Sequence, residues 1–176
     1  MRATSLTVGS AALAAALLLT ACGGGDSGGE GDGGGQDTAA CALDKIGVEV
    51  GPANAAPVAG DTGNIPVTVT NQGADCTLDG FPAVDLQADG TSATVPADKA
   101  AKAQKLTLAK DTAATFTITY VRAEAGGDDS LDATTVKIGL PGASAEQSFE
   151  WSYGPVALVA GGAPDASVGA FQRAGD

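Results

Sequence analysis

Gly25-Asp26-Ser27-Gly28-Gly29 has the residue order of a serine-hydrolase nucleophile loop, and it satisfies the pattern G-x-S-x-G. A nucleophilic serine needs a base within hydrogen-bond reach, most often histidine. The chain of 176 residues contains no histidine. That removes the commonest general base, the commonest metal ligand and the middle member of a Ser-His-Asp triad. The elbow also needs a strand before its serine and a helix after it. Glycines and acids flank Ser27 instead. Ser27 is therefore read as non-catalytic, and the sequence assigns no catalytic residue.

Two charged clusters remain. Lys99, Lys102, Lys105 and Lys110 fall within 12 residues, and the spacing of three would put the first three on one face of a helix. Such a group suits contact with an anionic envelope polymer or lipid head groups. A solvated crossover loop is the plainer reading. Asp128, Asp129 and Asp132, with Glu124 nearby, offer hard oxygen ligands of the kind calcium takes. They lack EF-hand spacing, and Gly126-Gly127-Asp128-Asp129 reads more simply as a hairpin turn. No metal or cofactor is assigned. Nine Lys+Arg against 21 Asp+Glu give a net charge of -12. Nucleic acid is excluded as an expected partner, because phosphate-backbone binding depends on clustered cations.

The surrounding sequence explains why a serine motif can be empty of chemistry. Arg2 is followed by an apolar run from about Val8 to Leu19. The run is shorter than the roughly 20 residues a spanning helix needs, and it matches the core of a secretory signal peptide over residues 1–21. It ends in Leu19-Thr20-Ala21-Cys22, which resembles the lipobox of bacterial lipoproteins. The resemblance implies cleavage before Cys22 and a lipid on its thiol. Two acyl chains would then hold the chain on the outer face of the cell membrane. Loss of Arg2 and of no acid gives a mature charge of 8 minus 21, or -13. Residues 22–40 are rich in Gly and acids and cannot bury a core. They read as a flexible tether, with a root-mean-square reach of roughly 21–25 Å. Ser27 sits in that tether.

From Cys41 the pattern alternates. Lys45–Val50, Ile65–Thr70, Ala83–Gln87, Leu106–Leu108, Thr115–Tyr120, Thr134–Leu140, Ser148–Tyr153 and Val156–Val159 read as strands. Asp89-Gly90 marks a hairpin. Phe116, Ile118 and Tyr120 share one face of their strand and threonines the other. Phe149, Trp151 and Tyr153 are expected mostly in the core. Only Pro96–Gln104 looks weakly helical. Seven to eight short strands over residues 41–160 argue for an all-β sandwich. Residues 161–176, rich in Gly, Ala and Pro, read as a loosely ordered tail.

Cys41 and Cys76 are the two cysteines left once Cys22 is lipidated. In an exported protein they pair most simply as a disulfide. Closing 36 residues would contribute about 3.8 kcal/mol in the chain-entropy account. Two thiols without histidine make a poor metal site. The stretch from Asn71 to Val84 follows N-x-G-x-x-C-x-L-x-G-aromatic-P-x-V. It resembles an uncharacterised family, the domain-of-unknown-function 4232 family, common in actinobacterial lipoproteins and secreted proteins. The resemblance implies an immunoglobulin-like β-sandwich with no assigned activity. It is specific from Cys41 to about Leu86 and rests on strand pattern beyond. Lys110-Asp111 stands where such domains often carry a Pro-Gly turn. Gly73 and Gly80 are expected to use positive φ, and Pro82 to stiffen the next strand's entry.

The expectation for function is a membrane-anchored, extracytoplasmic lipoprotein acting as a binding or interaction module of the cell envelope, with an envelope protein or polymer as partner. A structural or accessory envelope component is the alternative. An enzyme is not expected.

Overall fold

The computed structural model describes residues 38–175. The signal peptide, Cys22, Ser27 and the tether as far as residue 37 lie outside the described residues, as does Asp176. The described residues form one compact unit.

The domain is all-β, with a single short 3-10 turn at Leu43–Lys45. The strands are β1 (Ile46–Val50), β2 (Thr62–Asn71), β3 (Cys76–Leu78), β4 (Ala83–Ala88), β5 (Thr91–Thr94), β6 (Leu106–Leu108) and β7 (Ala113–Val121). They continue with β8 (Ser130–Leu131), β9 (Thr135–Gly139), β10 (Glu146–Glu150), β11 (Val156–Ala157), β12 (Ala166–Val168) and β13 (Gln172–Arg173). One sheet runs β1-β2-β7-β12, with β13 also on β7; the other runs β10-β9-β4-β5. Two-stranded ribbons, β3-β6 and β8-β11, complete it. All these strand pairs are antiparallel.

Period-2 patterning builds the core. Ile65, Val67 and Val69 of β2 and Ala114, Phe116, Ile118 and Tyr120 of β7 are buried, while the residues between them on β7 are half-exposed. Val84 and Leu86 of β4 and Val136 and Ile138 of β9 belong to the same buried cluster, so both sheets share one core. This is a β-sandwich. The expected Asp89-Gly90 hairpin joins β4 to β5 with both residues at positive φ, 42° and 82°. The sequence reading also has several errors of extent. Short ribbons and edge pieces bring the strand count above seven or eight, because segments of two or three residues carry no readable period. Pro96–Gln104 contains no helix. Backbone bonds to β12 hold its start extended instead. The residues from Gly126 to Asp129 turn, but they join β7 to β8, and β8 pairs with β11.

Both expected boundaries move outward. Ala39 accepts a bond from Thr77 N at 2.9 Å, Cys41 N donates to Thr77 O at 2.9 Å, and Ala40 bridges Thr77. The last residues of the expected tether are thus part of the fold. At the other end, residues 161–176 are not a loose tail. β12 and β13 pair with β7, and Val168 and Phe171 are buried, Phe171 edge-on to Phe116 at 5.3 Å. Apolar side chains seated on a central strand outweigh a Gly/Ala-rich composition.

Cys41 and Cys76 form a disulfide with Cα atoms 4.8 Å apart. The Asn71–Val84 motif is built around a buried asparagine. Asn71 Nδ2 donates to Ala74 O (2.8 Å) and Leu108 O (3.1 Å), and Gly73 N donates to Asn71 Oδ1 (2.9 Å). Gly80 has φ +121°, as expected. Gly73 does not use positive φ; its need is space, since a Cβ there would lie 3.1 Å from Lys45 Cβ.

Candidate functional site

The lysine segment is positioned by the crossover between β5 and β6. Val95 N donates to Val84 O, Val168 N to Pro96 O and Asp98 N to Val168 O, at 2.8–2.9 Å. Ala97 forms a parallel bridge with Val168. Asp98 Oδ1 then accepts from Ala100 N at 2.8 Å and closes a turn. The start of the crossover, Pro96–Asp98, is therefore pinned along β12, and its lysines follow from that point.

The opposite wall comes from a register shift. Val168 pairs with Ile118 and Gln172 with Thr115. The C-terminal chain takes four steps (168 to 172) where β7 takes three (118 to 115). One residue is in excess, which is a bulge. Gly169 N still donates to Thr117 O at 2.9 Å, and Phe171 turns inward onto Phe116. Gly169–Phe171 fall between the paired residues of β12 and β13, and Arg173 is exposed beyond them.

Between the two walls lies a groove of about 550 Å³, lined by Asp98, Lys102, Lys105, Leu106, Phe171 and Arg173 with their neighbours. Three cations and one acid line it, and Lys105 also has a partner of its own. From residue 38 onward the chain holds eight Lys+Arg against 17 Asp+Glu, so three of the eight sit in one groove. Cations outside it make contacts as well: Lys45 Nζ is 3.2 Å from Asp44, and Lys137 Nζ is 4.0 Å from Glu146. Arg122 Nη1 donates to Ala56 O at 2.7 Å.

The four expected lysines do not act as one group. Lys102 and Lys105 line the groove, and Lys99 is exposed on the same crossover outside it. Lys110 belongs to the β6–β7 turn, where its N–H donates to Asp75 Oδ1 at 3.2 Å. The turn beside it is made without Pro-Gly: Asp111 adopts φ 61°, and its N–H donates to Asn71 O at 2.7 Å. Sequence reasoning missed Arg173 and Asp98. The signal for Arg173 was the pair Phe171 and Arg173 at strand spacing, hidden within glycine and alanine.

In the acidic turn the Asp132 carboxylate is used locally. Asp132 accepts from Gly126 N (3.1 Å) and Ser130 Oγ (3.2 Å). Among the described residues no three His, Cys, Asp or Glu side chains come together as a metal would need. The aromatic cluster is a packing device: Tyr120, Trp151 and Tyr153 stack edge to face at 5.1–5.2 Å. Tyr120 Oη donates to Tyr153 O at 2.7 Å, and Trp151 Nε1 donates to Gly154 O at 2.6 Å. Trp151 is buried, whereas Phe149 and Tyr153 are only half-buried. Burial raises the Tyr153 phenol above its ordinary 10.0, and the neighbouring Tyr120 adds to the rise. Among the described residues no helix is long and apolar enough to cross a membrane.

A disulfide-braced β-sandwich with a cationic surface groove is the class of domain these features define. The chain belongs to the family described as Domain of unknown function (DUF4232), which it matches over residues 41–172. That span reaches β13, in line with the C-terminal strands being integral. No curated protein matches the chain.

Proposed function

We propose that this chain is an extracytoplasmic lipoprotein, anchored to the outer face of the cell membrane through Cys22, whose immunoglobulin-like sandwich acts as a binding module without turning over a substrate. The convergence of Lys102, Lys105 and Arg173 on one groove of an otherwise anionic domain carries the binding reading. An acidic protein attracts anionic envelope components best where its few cations cluster. The Leu19–Cys22 lipobox and the Gly-rich segment after it support the anchored placement. Lys99 widens the cationic face along the crossover.

Membrane fractionation tests both halves. The full chain stays with membranes through a salt wash, and Cys22→Ser releases it. The released chain still associates with envelope fragments at low salt, and Lys99→Gln, Lys102→Gln and Lys105→Gln together weaken that association. Membrane retention of the Cys22→Ser chain after the wash overturns the anchor. Unchanged association of the lysine variant overturns the binding surface.

A further inference from the structure

We propose that an apolar trough at the C-terminal end of β7, between the β1–β2 loop and the β7–β8 turn, docks a lysine-bearing segment of a partner protein. This surface is separate from the cationic groove, so either can fail without the other.

Backbone bonds build the trough itself. Residues 51–61, 122–129 and 151–165 meet where β7 ends. Gly60 N donates to Arg122 O, Arg122 N to Asp61 O, Ala123 N to Pro155 O and Leu158 N to Asp129 O, at 2.8–3.0 Å. Gly127 N donates to Glu124 O at 3.3 Å and Ser130 N to Gly127 O at 3.2 Å, which closes the turn. The bonds reach the residues of the floor and of the rim alike.

Shape follows from those residues. Half-buried Ala59, Val121, Ala123 and Ala157 make the floor of a space of about 400 Å³, and exposed Glu124, Asp128 and Asp129 rim it. A second hollow of about 280 Å³ shares Ala59, Arg122, Ala123 and Glu124 with the first and runs on to Pro57, Val58 and Pro155. Val58 is 62% exposed, more than any other large apolar side chain among the described residues. An open apolar strip with a polar rim has the form of a contact surface. A floor of alanines is shallow and suits an unbranched alkyl stem.

Charge selects the occupant. The three segments hold five acids, Asp61, Glu124, Asp128, Asp129 and Asp165, and one cation, Arg122. Arg122 Nη1 already donates to Ala56 O at 2.7 Å. Among the described residues the Glu124, Asp128 and Asp129 carboxylates have no hydrogen bond or ion pair of their own. Nor do they converge as a metal ion requires. Acids set along an apolar floor match lysine, whose stem lies on apolar surface while its ammonium reaches a carboxylate. A free diamine would leave Val58 and its hollow uncovered, whereas an extended peptide spans both. A second copy of this chain, with a net charge of -12, is repelled.

Position leaves the trough accessible. The chain enters the domain beside Thr77, close to the turn that leads into β7. The trough lies past the other end of that strand, whose nine residues span roughly 30 Å.

The test titrates the unlipidated full chain, by fluorescence anisotropy and amide-resolved NMR, at about pH 6, where the probe amines are charged. The probes are penta-lysine, a pentapeptide of 2,4-diaminobutyric acid with stems two methylenes shorter, and cadaverine. Saturable shifts with penta-lysine, grouped on Ala59–Gly60, Arg122–Glu124 and Gly127–Ser130, support the trough. So does affinity for penta-lysine at least about fourfold tighter than for the short-stem peptide, the worth of one buried methylene. Glu124→Gln, Asp128→Asn and Asp129→Asn together should weaken binding about tenfold. Ala59→Leu fills the floor with the charge kept and should weaken it about as much. Glu49→Gln, exposed on β1, removes an acid elsewhere and should leave it unchanged. Equal affinity for the two stem lengths reduces the effect to general charge attraction and overturns the proposal. Wild-type affinity in the triple variant, shifts grouped elsewhere, or no saturable binding overturn it too. Cadaverine binding as tightly as penta-lysine would make this a small-amine site. Self-association through the same amides would make the occupant a second copy. Either result overturns the partner segment.

Discussion

At the scale of single residues, the domain's distinctive motif is a hydrogen-bonding plug. Asn71 is fully buried and meets three backbone groups across the β2–β3 turn and β6. Removing a buried partner leaves its mates desolvated and unpaired, at about 1–3 kcal/mol for each such group. Asn71→Ala is therefore expected to lower unfolding free energy by about 3 kcal/mol in urea titrations, with Asn71→Asp only partly sparing it because the donors to Ala74 O and Leu108 O are lost. Tyr153 provides a pH signature. Its phenol is raised in the folded state by burial, then by Tyr120. The folded protein thus holds that proton more tightly than the unfolded chain. The associated stability is fully present below pH 10 and is lost as pH rises through the folded value. Alkaline titration of the melting temperature should show a decline above pH 10 that Tyr153→Phe makes shallower.

At the scale of elements, the informative segment is the one that composition misrepresents. β12 and β13 add Val168 and Phe171 to the core and form one wall of the groove. Phe171→Ala should cost about 3–5 kcal/mol, read by chemical denaturation. A chain ending at residue 160 should fail to show a cooperative transition, since it uncovers Phe116 and one edge of β7. β7 itself was plain from its alternation, and the β4–β5 hairpin from Asp89-Gly90, because both signals are local. The sites of failure were those set by tertiary pairing. Nothing near Gly169 announces a one-residue bulge, and nothing in Pro96–Gln104 announces that β12 will hold its first residues extended. The disulfide was legible because two cysteines in a chain read as exported, and without histidine, had few other chemical fates. Replacing Cys41 and Cys76 by Ala should cost about 2–4 kcal/mol, as removing a loop of this length does.

At the scale of the whole molecule, the domain is an acidic sandwich with one cationic groove. Charge alone was legible in the sequence, and half of the candidate surface with it. Lys102 and Lys105 were visible as a cluster, whereas Arg173 reaches them only through folding, across roughly 70 residues of chain. The account's central claim is that the domain binds through this groove. A salt series of association between residues 36–176 and purified envelope fragments tests it most directly. The predicted result is affinity that falls steeply with ionic strength for the wild-type domain, and a weak, nearly salt-independent residue for Lys102→Gln/Arg173→Gln. Identical affinity and salt dependence in the two proteins would contradict it.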